Sequence, residues 1–241
     1  MDTTSSGMRP HDWAFFVEIG AGILAMVALF RGHVAWALAW AALAVAAGVA
    51  ARRWSLTHRG PMPHSISWTL FLPRGPHSPR NLQRILQPRP GERMLEIGPG
   101  IGIHSLPIAS ALRPDGVLDV LDVQQAMLAD LARRAANAGV TNIAARQGDA
   151  RTLPYGDNTF DAAYLVTVLG EIPDEMAALR ELRRVLKPSG RLVVGEFFLD
   201  PDFIRLPVLK QQAVDAGLVF ERSTGSAPVY FAAFRPAPAP T

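Results

Sequence analysis

The sequence predicts an α/β protein built on a doubly wound sheet with helices on both faces, preceded by a pair of apolar helices. Two observations support this fold class. Over residues 81–235 short apolar runs alternate with amphipathic helical segments, a pattern typical of a doubly wound sheet. Residues 13–51 instead carry two long apolar runs, which belong outside such a sheet.

The composition excludes several classes of protein. The chain has 241 residues, of which 49% are hydrophobic and 19% charged, so it is too apolar to be intrinsically disordered. It contains no cysteine, which excludes a disulfide scaffold, a cysteine-ligated zinc or iron–sulfur site and catalysis by a thiolate. The histidines lack the spacing of a metal site, and we expect no bound metal.

Each apolar run is long enough for a membrane-spanning helix. The first, Trp13 to Phe30, is broken only by Glu18, and the second, Val34 to Ala51, has no charge; each has 18 residues. At 1.5 Å per residue each helix is about 27 Å long, close to the hydrocarbon core of roughly 30 Å. This predicts a transmembrane hairpin over residues 1–54. The ten alanines of the second run and Glu18 leave a hairpin in one leaflet as an alternative, and a buried helical pair or a signal peptide as a third.

The charges around the hairpin predict its orientation. Arg52, Arg53 and Arg59 follow the second helix, whereas the turn holds only Arg31. By the positive-inside rule, the rest of the chain lies on the cytoplasmic side of the cell membrane. Small residues four apart favour close helix packing in lipid, and tryptophans near the helix ends are candidate interface anchors. The small residues are Ala21, Ala25, Ala35, Ala39, Ala42, Ala46 and Ala50, and the tryptophans are Trp13, Trp36, Trp40 and Trp54.

Residues 55–80 form a basic, proline-rich connector. From residue 52 to residue 93 there are eight arginines and one acid, which suits an anionic membrane surface or nucleic acid. The adjoining apolar runs favour the membrane, and with no aromatic and basic platform for single strands we expect no nucleic acid partner. The apolar piece Ile66 to Leu72 could pack on the next domain or dip into the headgroups.

The domain over residues 81–235 is predicted to contain seven strands. A short helix, Pro79 to Leu86, leads into it, and a proline-rich tail over residues 236–241 is expected to be disordered. The last two strands have only a short link, so they must pair antiparallel. The strands are 93–97, 117–121, 143–146, 160–167, 191–197, 219–222 and 229–234, and the intervening helices are 103–112, 124–138, 174–186 and 207–216.

A glycine-rich turn follows the first predicted strand. Glu96 to Gly102 reads E-x-G-x-G-x-G, and glycines there let the backbone approach a ligand closely. A dinucleotide fingerprint would place glycine or alanine at position 103, where this chain has isoleucine, and this argues against a nicotinamide-dependent oxidoreductase. Asp122 ends the second strand, where an acid can bind ribose hydroxyls or cap the next helix. Asp149 follows the third strand, where it can accept a hydrogen bond from an adenine amino group or stabilise a turn.

These motifs resemble the class I S-adenosylmethionine-dependent methyltransferases, and most closely the branch that includes the ubiquinone/menaquinone methyltransferases. The matching segments are LEIGPGIG, LDVLD, GDA, LPYGDNTFDAAYLVTVLGEIPD and ELRRVLKPSGRLVVGEF, which span about residues 79–235. The resemblance implies a Rossmann-like seven-stranded sheet of order 3-2-1-4-5-7-6 and S-adenosylmethionine as the cofactor. The hairpin is not part of the domain that this family shares.

The resemblance also implies roles for individual residues. Glu96 would lie under the methionine end of the cofactor, Asp122 would hold its ribose, and Asp149 would hold the adenine edge. Gln124 or Met127 would pack near the adenine, and the segment Leu165 to Leu169 would follow the sulfonium and its methyl group. The full predicted cofactor-binding set is Glu96, Gly98, Gly100, Gly102, Asp122, Val123, Met127, Gly148, Asp149, Ala150 and Leu165.

The reaction asks little of the protein beyond positioning. Methyl transfer from a sulfonium is an in-line displacement, and a phenol, an activated ring carbon or a thiol gains from a base. The candidate catalytic residues are His104, Glu171 and Glu196, with Asp200 as a further base near the strand ends. Each of them could equally be structural.

Three functions remain open from the sequence. The first is a membrane-anchored methyltransferase acting on a lipophilic small molecule or lipid, such as an isoprenoid quinol, a phenol or a phospholipid headgroup. Small hydrophobic thiols and other xenobiotics are alternative acceptors for this first function. The second function is a nicotinamide-dependent oxidoreductase, against which the isoleucine at position 103 argues. The third is a non-catalytic, membrane-bound sensor or scaffold that binds an adenosine ligand. We further expect Trp68, Leu70, Phe71 and Leu72 to line an entrance facing the bilayer. The oligomeric state is not predicted.

Overall fold

The computed structural model describes residues 10–71 and 75–238. Its centre is a seven-stranded sheet of order β3-β2-β1-β4-β5-β7-β6, in which the first five strands are parallel and β7 is antiparallel to both β5 and β6. This order confirms the predicted fold class. The strands are β1 (Arg93–Ile97), β2 (Val117–Asp122), β3 (Ile143–Gln147), β4 (Phe160–Val166), β5 (Leu186–Phe197), β6 (Leu218–Ser226) and β7 (Val229–Pro236).

Helices cover both faces of this sheet, which creates two separate hydrophobic cores. One core joins the sheet to α3, α4 and α5, and the other joins it to α6 and α7. Both cores consist of buried residues between Leu82 and Phe234, so the sheet domain carries its own interior. The helices are α1 (Pro10–Phe30), α2 (Val34–Thr57), α3 (Pro79–Leu86), α4 (Ser105–Ala111), α5 (Gln125–Asn137), α6 (Glu175–Val185) and α7 (Leu206–Asp215).

Several predicted boundaries are shifted. The fifth strand was predicted over residues 191–197, but β5 begins at Leu186, directly after α6, and has a register shift against β4 before Arg191. The disordered tail was predicted from residue 236, but β7 includes Pro236, and Ala237 donates a hydrogen bond to the Gly217 carbonyl oxygen at 2.8 Å. Both contacts are on the β6 side, where Pro236 pairs with Leu218.

The two N-terminal helices pack against each other and expose apolar side chains outward. By length and composition, one helix of the described chain could cross a membrane, over Val34–Ser55, while α1 has a shorter apolar stretch, Phe16–Phe30. Glu18 lies against Gly48 of α2, where an added Cβ would come within 2.8 Å of its Cδ. The hairpin also extends past the predicted boundary at residue 54, since α2 continues to Thr57.

The predicted small-residue interface is largely wrong. Of the seven alanines named for it, only Ala21 is buried, whereas Ala42, Ala46 and Ala50 are exposed. The buried alanines of α2 are Ala37 and Ala51. With ten alanines in one run, several stripes had the same spacing and the sequence could not distinguish them.

The connector forms a 3-10 helix, His64–Phe71, that lies on the sheet domain. We call residues 58–71 the strap. Leu72, which was predicted to line the entrance, lies outside the described residues.

Candidate active site

The glycine loop between β1 and α4 has a backbone that only glycine adopts readily. Gly98, Gly100 and Gly102 have φ angles of 64°, 51° and 84°. At Gly98 an added Cβ would lie 2.5 Å from Val168 Cγ2, and at Gly100 it would lie 2.9 Å from Leu70 Cδ1. Neighbouring segments therefore approach this loop as closely as bare backbone permits.

Glu96 is buried beneath the loop at the carboxyl end of β1. Ser105, the first residue of α4, donates its hydroxyl to Glu96 Oε2. Burial raises the pKa of the Glu96 carboxyl to about 7, although the hydroxyls of Ser105 and Tyr164 counteract this shift. The carboxyl group thus ties β1 to the start of α4 and supports the loop from below.

Asp122 ends β2 beside the same loop. It is 7% exposed, and its Oδ1 accepts a hydrogen bond from the Gln124 backbone N–H at 2.8 Å. Burial raises the pKa of Asp122 to about 6, against the opposing effect of backbone donors from Gln124, Gly100 and Val123. The donor from Gly100 brings Asp122 and the glycine loop together, as the sequence predicted.

Asp149 follows β3 and is held by a neighbouring arginine. Arg151 donates to both carboxylate oxygens at 2.6–3.0 Å and also through its backbone N–H. These hydrogen bonds, led by that of the Arg151 side chain, lower the pKa of Asp149. Gly148 donates its N–H to the Asp122 carbonyl oxygen at 3.0 Å, which places the ends of β2 and β3 side by side. Any contact of Asp149 with an adenine amino group would share the carboxylate with Arg151.

The other predicted cofactor residues differ in exposure. Met127 and Ala150 are buried and Val123 is exposed. Leu165 is fully buried in the core on the α6 and α7 side, so its side chain packs the interior and does not line the site.

The three candidate bases do not form one cluster. Side chains alternate along a strand, and Glu196 of β5 lies on the face of the α6 and α7 core, whereas Glu96 points to the opposite face with Tyr164. Glu196 is buried and accepts a hydrogen bond from the Ile204 backbone N–H at 3.1 Å. Burial raises its pKa well above the usual value, with nearby acids adding to the effect. His104 is buried just before α4, and Glu171 lies in a short 3-10 turn after β4.

The strap crosses the carboxyl edge of the sheet above the glycine loop. The Met62 backbone N–H donates a hydrogen bond to Glu171 Oε2 at 3.3 Å, and the Met62 carbonyl oxygen accepts one from Gln124 Nε2 at 2.8 Å. His64 pairs with Asp130 of α5 at 3.0 Å. The strap therefore bridges the segment after β4 and the segment after β2, with the glycine loop between them.

Two residues that were named from the sequence for other reasons are neighbours of the loop. Val168, within the segment Leu165 to Leu169, packs against Gly98, and the preceding Thr167 has a φ of 54°, which is unusual for a β-branched residue. Leu70 of the strap, expected at an entrance, contacts the loop at Gly100. The sequence did not predict these two contacts, because they depend on how distant segments meet.

A polar cleft of about 560 Å³ lies beside this edge, between the end of α2 and the start of α6. Its lining includes His58, Arg59, Asp174 and Glu175, so it is away from the glycine loop. The strap lies over the loop itself. The cleft and the glycine loop are therefore separate features of the same edge.

The residues at this edge fit an adenosine-containing cofactor. The backbone here is one that glycine adopts readily, and it has one buried acid below it and another beside it, which is the set of groups that a ligand approaching the main chain closely would use. Leu70 and Val168 lie against the loop in this structure. The site lies outside the carboxyl ends of β1, β2 and β3, where doubly wound sheets bind ligands.

Comparison with known proteins agrees with this geometry. The family model described as the ubiE/COQ5 methyltransferase family matches residues 78–211. The ubiquinone/menaquinone biosynthesis C-methyltransferase UbiE of Cellvibrio japonicus is 39% identical over 110 residues, which cover 45% of this chain and 44% of that protein. The demethylmenaquinone methyltransferase of Bacillus cytotoxicus is 31% identical over 117 residues, 48% of this chain and 49% of that protein. The match thus spans less than half the length of these relatives.

A solved structure supports the fold. The SAM-dependent methyltransferase from Aquifex aeolicus superimposes with a TM-score of 0.66 and covers 73% of this chain and 98% of its own, at 19% identity. At that identity the likeness concerns the fold alone. The matched residues 78–211, which are more than half of the chain and include the glycine loop, Asp122 and Asp149, show that this protein belongs to the ubiE/COQ5 methyltransferase family.

Proposed function

We propose that this protein is an S-adenosylmethionine-dependent methyltransferase that methylates a lipophilic, quinol-like acceptor at a membrane. The observation that carries the proposal is the glycine loop flanked by Glu96 and Asp122, within a segment that matches the ubiE/COQ5 methyltransferase family. Two relatives are named for ubiquinone, menaquinone or demethylmenaquinone methylation, which favours a quinone-related acceptor.

Each strand end contributes one part of the cofactor site. Gly98 and Gly100 let the cofactor approach the backbone closely. Asp122 accepts hydrogen bonds from the ribose hydroxyls of the cofactor, and Asp149 accepts one from its adenine amino group. Glu96 holds the loop in place through Ser105. When bound, S-adenosylmethionine supplies an electrophilic methyl group. The remaining task of the protein is to align an acceptor with that group and to exclude water.

Among the candidate bases, we assign proton acceptance to Glu171. It is partly exposed at the carboxyl edge and lies under the strap, hydrogen-bonded to Met62. Glu196 is 1% exposed on the face of the sheet that α6 and α7 cover, and this burial suits a structural role. A quinol hydroxyl bound under the strap would give its proton to Glu171 as the adjacent ring carbon becomes nucleophilic.

The hairpin gives this enzyme access to its acceptor. We infer that α1 and α2 insert in the cell membrane and that the sheet domain lies on the cytoplasmic side, as the arginines after α2 predict. A lipophilic acceptor is then concentrated where the enzyme is held.

Transfer of tritiated methyl from S-adenosylmethionine into a total membrane lipid extract, followed by chromatography, tests this function. We expect the label in the quinone fraction, and no label with the Asp122→Ala variant. Label in the phospholipid fraction would show that the acceptor is a phospholipid headgroup and not a quinol. Label in added thiols would favour xenobiotic methylation. Tight binding of S-adenosylhomocysteine without transfer to any of these acceptors would favour a sensor.

A further inference from the structure

The end of α2 is bonded directly to the sheet domain. Arg52 Nη2 donates to the Phe203 carbonyl oxygen at 2.6 Å, and the guanidinium lies over the Phe203 ring at 5.5 Å. One turn later Ser55 hydrogen-bonds an acid of the same loop, and Arg59 forms an ion pair with Glu175 at the start of α6. These contacts, two from the last turns of α2 and one from Arg59 just beyond its end, hold the end of α2 against the sheet domain.

The aromatic residues of the hairpin define two levels. Trp13 and Trp54 lie at the hairpin end next to the sheet domain, and Phe30 and Trp36 lie at the far end; all four are exposed. Within each helix the two levels are about 26 to 27 Å apart at 1.5 Å per residue. This matches a hydrocarbon core of roughly 30 Å bounded by aromatic belts. The bonded junction of α2 therefore starts at the level where the core ends.

The strap presents an apolar outer face at that same level. In a 3-10 helix, residues three apart share one face. Ser65, Trp68 and Phe71 are all exposed, with Trp68 at 55% and Phe71 at 62%, while Leu70 points to the glycine loop. The Trp68 ring stacks on Phe16 of α1 at 6.2 Å between centroids, which joins the strap to the hairpin end next to the sheet domain.

We propose that the outer face of the strap is a bilayer-contact surface and that the α2 junction holds the carboxyl edge of the sheet against the lipid headgroups. The glycine loop and Glu171 then lie at the edge of the sheet that faces the membrane, and the opposite edge faces the cytosol. An acceptor headgroup can reach the glycine loop without leaving the interface. This inference rests on the membrane insertion in the proposed function, but not on methyl transfer itself.

Site-specific fluorescence quenching in vesicles tests the orientation. The chain has no cysteine, so Ser65→Cys and Asp115→Cys each give one attachment point, at the strap and at the opposite, amino edge of the sheet. The full chain is labelled with a polarity-sensitive fluorophore in phosphatidylcholine–phosphatidylglycerol vesicles that carry headgroup nitroxides. We expect a large loss of fluorescence at Ser65 and none at Asp115. Equal quenching at both sites would overturn the proposal.

A junction variant tests what holds the domain in place. Arg52→Gln combined with Arg59→Gln should abolish the quenching at Ser65 while the protein still floats with the vesicles. Arg53→Gln is the matched control, because this exposed arginine lies on the same turn of α2 and should leave the quenching unchanged. Quenching that survives the double variant would overturn the role of the junction. Failure of the unmodified chain to float would overturn membrane insertion as well, whereas a failed methyl-transfer assay with intact quenching would refute only the proposed reaction.

Discussion

Asp122 and Glu96 are two carboxyl groups that the fold buries within one small region of the sheet edge. Burial of an acid without a cation costs free energy, and both carboxyls are compensated only by hydroxyl or backbone donors. An apolar residue at either position would avoid this cost in free energy. The presence of two buried acids beside a glycine-only loop therefore points to a ligand that uses them.

Removal of the Asp122 carboxylate should weaken cofactor binding. We expect Asp122→Ala to reduce S-adenosylhomocysteine affinity by about 1.5–3 kcal/mol, the scale of a hydrogen bond to a charged group. Isothermal titration calorimetry measures this change. Asp115→Ala is the control, since this exposed acid precedes the other end of β2 and should leave the affinity unchanged. Equal losses in both variants would contradict the ribose role.

Glu96 should make the protein less stable as pH rises. Its pKa is about 7 in the folded state and near 4.5 in the unfolded chain, so between these values the folded state binds more protons. The free energy of unfolding should fall across that window and level off above it, by on the order of 3 kcal/mol in total. Glu96→Gln should flatten this slope in urea unfolding measured at several pH values. An unchanged slope would mean that another group, such as Asp122, dominates.

Glu171 should affect turnover and leave binding intact. We expect Glu171→Gln to lower kcat by roughly 100-fold or more, the usual scale of general base catalysis. The affinity for S-adenosylhomocysteine should stay within error, because the side chain bonds to the strap and not to the glycine loop. Glu196→Gln, at a position that is only 1% exposed, should have little effect on kcat in the same assay. A larger loss with Glu196→Gln would reverse the assignment.

At the level of elements, the sequence predicted what depends on local pattern. All seven strands, the glycine loop and the position of Asp122 follow from alternating hydrophobicity and from turn residues, and the structure confirms them. For the strap, the sequence left open whether the piece Ile66 to Leu72 packs on the next domain or enters the headgroups. Its inner contact at Gly100 and the bond of Met62 to Gln124 could not be predicted, because they join segments far apart in the chain. The strap forms a 3-10 helix with three residues per turn, and this period divides its apolar residues between an inner and an outer face. Nothing in the sequence distinguishes this helix type from an α-helix.

The outer face of the strap should matter for a membrane-borne acceptor. Trp68→Ser combined with Phe71→Ser should lower kcat/KM on a long-chain quinol in vesicles by roughly tenfold, equivalent to about 1.4 kcal/mol. A short, water-soluble analogue should be affected much less, because both residues are exposed and neither packs in the core. Trp36→Ser, at the far end of the hairpin, is the control. An equal loss on both acceptors would indicate distortion of the site instead.

At the scale of the whole molecule, the hairpin takes no part in the two hydrophobic cores of the sheet domain but is bonded to the carboxyl edge of the sheet. The two hydrophobic cores draw only on residues between Leu82 and Phe234, so we expect the sheet to fold without the hairpin. The junction and the strap, by contrast, connect α2 to the ends of β2, β4 and β5. In our proposal the hairpin therefore sets which way the site faces and contributes little to the fold of the sheet.

A chain that begins at Pro79 should therefore be soluble, fold with the same sheet and still bind S-adenosylhomocysteine. Its affinity for the cofactor should remain measurable by calorimetry, since Glu96, Asp122 and Asp149 are all retained, but its activity on a vesicle-borne acceptor should be lost. The full chain should stay with the membrane pellet after carbonate and high-salt washes, because apolar burial is not screened by salt. Release by salt alone would mean that the arginines after α2 attach the protein and that the helices do not insert. For the chain that begins at Pro79, aggregation would instead show that the strap and hairpin contribute to the core of the sheet domain, contrary to the two cores formed by residues between Leu82 and Phe234.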